Sequence, residues 1–370
     1  IIMKHKLLSI LLCLAMALSL LPTAALAEEG TNGPVEVSSL EALQTALNNA
    51  ADANSGDTTI NLMNDITFGE GDTWTPVKVD GYNGAGVVTL NGNGKTITGL
   101  KAPLFAGGFG GTSGIVINNL TLENVNLNDT GSEYAGTGFG AFICAVDSMP
   151  TISLTNCHVK GGTIKSTSGA RVGGLIGWTA GYNNPNNGPV DTKITLTNCS
   201  VEDVKITAKG SVGGLIGHAG ANPTTYHDIT DCTVSGCTLT STKDSGNYVG
   251  TLVGTANVGQ ITVDAASSAS GNTLKQNSSA SEEASDKILG RDAVNDTGLV
   301  IVDNKVVAAA AKYGVSEGDN VSAKLVRNET TGAWEKVVAK VGDTSYYKTL
   351  PEAIAAAKDG ETVILLSDCK

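Results

Sequence analysis

Residues 151–164 read TISLTNCHVKGGTI and residues 193–206 read KITLTNCSVEDVKI, and the two align without a gap. IVINNLTLENVNL from Ile115 and DITDCTVSGCTL from Asp228 fall into the same frame. Four apolar columns result. They are Ile117, Leu154, Leu196 and Ile229; Leu120, Cys157, Cys199 and Cys232; Leu122, Val159, Val201 and Val234; and Leu127, Ile164, Ile206 and Leu239. Between the first two columns stand Asn119, Asn156, Asn198 and Asp231, residue types that tolerate a left-handed bend. Beyond the third stand Asn124, Gly161, Asp203 and Gly236, again turn-formers. Each copy therefore reads strand, bend, strand, bend, strand.

A glycine-rich phrase follows each copy: ARVGGLIGWTAG at 170–181 and GSVGGLIGHAGA at 210–221, with weaker versions around Phe139 and Val249. The repeat residues are Val172, Gly173, Gly174, Leu175 and Gly177, matched by Val212, Gly213, Gly214, Leu215 and Gly217. A phosphate loop would need Lys-Ser or Lys-Thr after its last glycine, but Trp178 and His218 stand there. A membrane-dimer face would need about twenty apolar residues around it. The glycines are read instead as places where backbone bends or packs too tightly for a side chain.

A short bent strand cannot bury its apolar face alone, whereas copies stacked in register can, each about 4.8 Å above the last. The expected fold is all-β, a parallel β-helix of roughly seven rungs counting degenerate copies on both sides. Ser39 and the helical spacing of Leu40, Leu43, Ala46, Leu47 and Ala50 predict a helix over about 39–50 that caps the open end of the stack. TLPEAIAAAKDGETVILLSD, from Thr349, repeats that helix-strand opening near the other end. The expected organisation is a β-helix over 28–308, a connector with a hairpin turning at Thr331-Gly332 over 309–345, and the opener of a second, truncated unit over 346–370. The chain is expected to be part of a longer protein.

Residues 1–27 are read as a secretory signal peptide: Lys4 and Lys6, the apolar run LLSILLCLAMALSLL, and a small-x-small pattern ending at Ala27. The mature chain is expected to be secreted or at the cell surface, without a transmembrane span, its anchor lying elsewhere. A net charge of −12 argues against nucleic acid as a partner.

The VGGLIG copies and LNGNGKTITGL (90–100), with INLMNDITF and WTPVKV before it, resemble the GLUG-motif repeat proteins. That resemblance implies a pectin-lyase-like, right-handed β-helix. The C-terminal VGDTSYYKTLPEAIAAAKDGETVILL resembles an opener common in surface proteins of gut Firmicutes. Members are mostly large exported proteins suspected as adhesins, so the resemblance implies architecture more than activity.

The fold also hosts polysaccharide lyases and glycoside hydrolases, which need a cationic base, a Ca²⁺-holding acidic cluster or spaced carboxylates. The chain has only Arg171, Arg291 and Arg327 and no adjacent Asp-Asp pair. A non-enzymatic stalk or adhesin is therefore expected, with no catalytic residue, metal site or cofactor, and a polysaccharide-active enzyme or its degenerate relative remains the alternative. Cys157, Cys199 and Cys232 share one interior column and are expected to be buried thiols, with a disulfide between neighbouring rungs as the rival. Ligand chemistry is expected in the loops after the glycine phrases, which carry Trp178, Tyr182, Tyr226 and His227. Flat aromatics among amides and carboxylates suit sugar rings, making glycans or host-surface molecules the expected partners. The plainer reading is that these rings only cover the flank.

Overall fold

The computed structural model describes residues 33–52, 54–81, 84–110, 113–131, 137–168, 170–180, 183–184, 188–292, 297–342 and 345–366. The signal-peptide reading of 1–27 falls outside these residues.

From Val35 onward the chain winds into a parallel β-helix. Strand Thr151–Ser166 pairs in parallel with Gly114–Asp129 below it and with Thr192–Thr197, Ser200–Glu202 and Lys205–Ala208 above. The register is the one read from the columns: Ile152 opposes Ile194, Leu154 opposes Leu196, Val159 opposes Val201, and Ile164 opposes Ile206. All eight of these side chains are buried. The bends come where the turn-formers stand. Asn119, Asn156, Asn198 and Asp231 take φ between 50° and 54°, and Asn124, Gly161, Asp203 and Gly236 take φ between 51° and 68°. Asparagine tolerates this region because its short amide bonds locally, and here the amides also bond to one another. Asn156 Nδ2 donates to Asn119 Oδ1 at 2.7 Å, and Asn198 Nδ2 donates to Asn156 Oδ1 at 2.7 Å.

A second, seven-stranded parallel sheet counts the turns. Its strands run from Val77–Asp80 through Phe105–Phe109, Ile143–Asp147, Ile176–Ala180, Ile216–Ala219 and Val253–Ala256 to Leu289–Asp292. Among the described residues this sheet marks seven turns, against the roughly seven rungs expected. Between the long sheet and this one, short strands such as Arg171–Gly173 and Val212–Gly213 stack into a narrow third sheet.

The starting end is closed by helix α1, Leu40–Ala51, whose Ser39 side chain accepts a hydrogen bond from the Ala42 amide. Leu43, Ala46, Leu47, Ala50 and Ala51 are its buried face, seated on the first turns. Strand Val35–Val37 pairs with Ile60–Leu62 and covers the edge beside it. At the other end Leu299–Val302 stacks on Gln260–Val263 and reverses at Asp303-Asn304, both at positive φ, into antiparallel Lys305–Ala309. Such a two-residue turn matches the twist of the strands it joins. The long sheet therefore does not end on a bare parallel edge at this end.

Leu325–Arg327 pairs antiparallel with Trp334–Lys336, with Gly332 at φ 80°. This hairpin lies against the flank of the rod. The Trp334 amide donates to Gln260 Oε1 at 2.6 Å, its indole Nε1 donates to Thr262 Oγ1 at 2.9 Å, and Arg327 pairs with Asp228. Beyond it, Ala339–Val341, Ser345–Tyr347 and Val363–Leu365 form a small antiparallel sheet with helix α2, Leu350–Ala356. Thr349 and Glu352 close a reciprocal capping box on α2.

Candidate functional site

The glycine phrase builds a thin arch. A Cβ on Gly173 would lie 2.1 Å from the Ile176 carbonyl oxygen, and one on Gly217 would lie 2.6 Å from the Gly177 oxygen and from Val172 backbone. Backbone thus rests on backbone across the arch. Gly174 and Gly214 serve the other side, where an added Cβ would enter the Val201 and Val234 side chains at 2.6–2.7 Å. Val172, Leu175, Val212 and Leu215 are fully buried beside them.

Where the glycines end, side chains widen the arch. Trp178 stands in register with Ala145 below and His218 above. The Arg171 guanidinium lies 5.6 Å from the Trp178 ring centroid, within cation–π range, and partial burial lowers its pKa. One rung further, Ser211 Oγ and Thr255 Oγ1 are 2.7 Å apart. The Trp178 indole Nε1 is buried and has no hydrogen-bond partner among the described residues. An unmatched buried donor costs about 1–3 kcal/mol.

His227 stands behind this arch, only 2% exposed. Its Nδ1 lies 3.0 Å from the Gln260 carbonyl oxygen, so that nitrogen carries the proton, and Nε2 accepts from Thr179 Oγ1 at 2.7 Å. Burial pushes its pKa down to about 4, the Gln260 carbonyl opposing the shift. It supports Thr179, the neighbour of Trp178, and presents no face to a ligand. Parity explains this: Ile194, His227 and Ile261 oppose one another in the long sheet, so His227 fills an aliphatic column. Its offset of two residues from Ile229, a core position, was the sequence signal for it.

Tyr226 points outward between Lys193 and Gln260, in the long sheet and not in the sheet that carries Trp178. Its hydroxyl bonds the Asp191 carboxylate, and burial together with that charge pushes its pKa up to about 12. Burial likewise raises the Asp191 pKa, against the lowering effect of the Tyr226 bond. Tyr182 lies outside the described residues. Of the three described loop residues, Trp178 is partly exposed and holds a donor unmatched among the described residues. Sequence reasoning missed Arg171, whose place opposite the tryptophan depends on the arch folding back.

Cys157, Cys199 and Cys232 stack as buried thiols outside any disulfide, and Cys144 and Cys237 are buried elsewhere in the core. In the column each Sγ donates to a carbonyl of the rung below: Cys157 to Ile117, Cys199 to Leu154 and Cys232 to Leu196, at 3.3–3.5 Å. Hydrogen bonding with Cys157 and burial push the Cys199 thiol up to about 12, and the Cys199 contact with burial raises Cys232 further. Cys199 and Cys232 therefore stay protonated at neutral pH. Among the described residues no three His, Cys, Asp or Glu side chains converge as a metal-binding group.

The third strand of each turn carries a different surface. Its outward positions form two rows: Asn126, Thr163, Lys205, Thr238 and Thr273, and beside them Asn128, Lys165, Thr207, Thr240 and Lys275. No carboxylate interrupts either row. A trough of about 530 Å³ lies over their first three rungs, and a second hollow of about 310 Å³ adjoins it through Lys101 and Asn128, reaching Trp74, Pro76 and Phe139.

Residues 34–170 match the family of pectate lyase-like adhesive domains, and residues 209–240 match the GLUG motif. No curated protein matches the chain. Among solved structures, a Bacteroides ovatus protein described as an immunoglobulin A1 protease aligns at 16% identity over 78% of this chain and 82% of its own, with a TM-score of 0.45. A second IgA1 protease aligns at 16% identity over 75% of this chain and 20% of its own, with a TM-score of 0.32. The SRRP of L. reuteri 53608 aligns at 16% identity over 72% of this chain and 99% of its own, with a TM-score of 0.25.

Proposed function

We propose that the chain is an exported, cell-surface β-helical module of the stalk or adhesin type, which holds glycans or other host-surface molecules without transforming them. The observation that carries this reading is the mouth of the arch. A partly exposed indole, its Nε1 buried and unmatched among the described residues, stands beside a guanidinium. A sugar would stack on the exposed part of the ring while its hydroxyls bond polar groups beside it. The match of residues 34–170 to an adhesive-domain family supports the same direction. Residues 1–27 supply the export signal in this reading, and the helix-strand order repeated from Thr349 opens a second unit.

The test is a glycan array probed with the purified chain. Signal that falls on changing Trp178 to Ala, and falls further when Tyr182 is also changed, supports the arch as the site; unchanged signal sinks it. Release of reducing ends or unsaturated products from pectin-like polymers would overturn the non-enzymatic reading.

A further inference from the structure

The third-strand face was not marked by any motif, yet its two outward rows hold three lysines, Lys165, Lys205 and Lys275, and no carboxylate. The protein carries a net charge of −12, so a cationic strip free of carboxylates runs against its overall composition. On the neighbouring strand charge is handled in the ordinary way, Lys160 pairing with Glu202 at 3.6 Å. Lys165 and Lys205 make no ion pair among the described residues, and both are exposed. They stand one rung and two residues apart, roughly 8 Å between their Cα atoms from strand spacing and rise. Lys101, at the edge of the same trough, is spent on structure: its ammonium donates to the carbonyls of Gly69, Glu70 and Asp72 at 2.6–3.2 Å. The free ammonium groups are flanked by Asn126, Asn128, Thr163 and Thr207, which offer amides and hydroxyls at each rung.

We propose that this trough binds an extended acidic polysaccharide, whose carboxylate or sulfate groups meet Lys165 and Lys205 while its hydroxyls bond the flanking amides and threonines. Three features select that occupant. The groove is open and shallow and crosses successive rungs, which suits a linear polymer better than a compact ligand. Its polar groups recur with the rung spacing, so one sugar pattern can be met repeatedly. Its charge opposes that of the remaining surface, so an anionic chain is drawn to this face and repelled elsewhere. Nucleic acid would bring denser charge against a protein of the same sign. The inference rests on the adhesive reading but uses residues on another face, so the two fail separately.

The experiment is affinity electrophoresis and biolayer interferometry of the full chain against polygalacturonate, hyaluronate, chondroitin sulfate and neutral dextran at low and physiological salt. Binding is expected to at least one acidic polymer, to weaken with salt, and to be absent for dextran. Lys165→Gln with Lys205→Gln is expected to weaken it about tenfold, the loss of two exposed charge contacts. The charge-matched control, Lys160→Gln with Lys358→Gln, is expected to retain it. The uronate and sulfate arms identify which anion the lysines hold. Equal loss in both double variants would reduce the effect to net charge and overturn the site. No affinity for any acidic polymer, or full affinity in the trough variant, also overturns it. Circular dichroism of each variant separates loss of binding from loss of fold. A Trp178→Ala chain that keeps acidic-polymer affinity but loses array signal assigns the two faces to different ligands.

Discussion

His227 offers the sharpest test of how the interior is built. Its folded-state pKa of about 4 lies below the ordinary histidine value of 6.5, which the unfolded chain retains. Folding therefore excludes a proton that the unfolded state accepts, and stability fully present above pH 6.5 is lost as pH falls from there toward 4. Between pH 7 and pH 5 the difference in proton binding removes about 2 kcal/mol, and the full loss in acid approaches about 3 kcal/mol. Partly buried His158, whose pKa is also lowered, acts in the same direction, whereas Asp147 and Asp191, both raised by burial, act oppositely in acid. A difference measurement isolates the single site. His227→Gln keeps a polar side chain at the position and cannot titrate. Urea unfolding of both proteins at pH 7 and pH 5 is expected to show the variant losing about 2 kcal/mol less than the wild type over that interval. In parallel, the imidazole resonance of His227 is expected to titrate with a midpoint near pH 4. A midpoint near 6.5, or equal pH dependence in the two proteins, would refute the placement of His227 between Thr179 and Gln260.

Gly173→Ala is expected to destabilise by roughly 2–4 kcal/mol, because its Cβ lies 2.1 Å from a carbonyl oxygen that only a backbone shift can move; chemical denaturation measures it, and a neutral result would show the arch is looser than described. Asn156→Ala breaks two ladder hydrogen bonds and places alanine at φ 53°, with an expected cost of about 2 kcal/mol, and Asn156→Gly recovers part of it. The described cysteines are expected to resist thiol reagents at pH 8 until denaturant is added, a fast-reacting fraction at Cys157, Cys199 or Cys232 counting against their burial. Ser39→Ala removes the cap on α1 and is expected to cost about 1 kcal/mol, read from the same unfolding curves.

Much of this protein was legible because its repeats make local chemistry do the work of tertiary contacts. The columns through Leu154 and Leu196 determined register, since one face of each strand must be apolar and a slip of one residue would turn it outward. Asn156, Asn198 and Asp203 marked the bends, because few residues accept φ near 50°. Gly173 and Gly217 were legible as close approaches, though not what they approach. The cap helix was expected over 39–50 and is observed at Leu40–Ala51 behind its Ser39 cap.

What lay outside the repeat was decided only by the folded chain. Arg327 meets Asp228 across 99 residues of sequence, bringing the hairpin expected as a connector down onto the rod beside Tyr226. Arg171 reaches Trp178 because the strand between them folds back through glycines. Lys165 and Lys205 share a trough because turns of unequal length still bring their third strands into register. The sequence by itself determined the stack, since periodic burial and turn residues act between near neighbours and leave the strands one way to pair. The tertiary structure decided the surfaces, since which polar side chains meet depends on how whole turns are laid over one another, and no local preference records that.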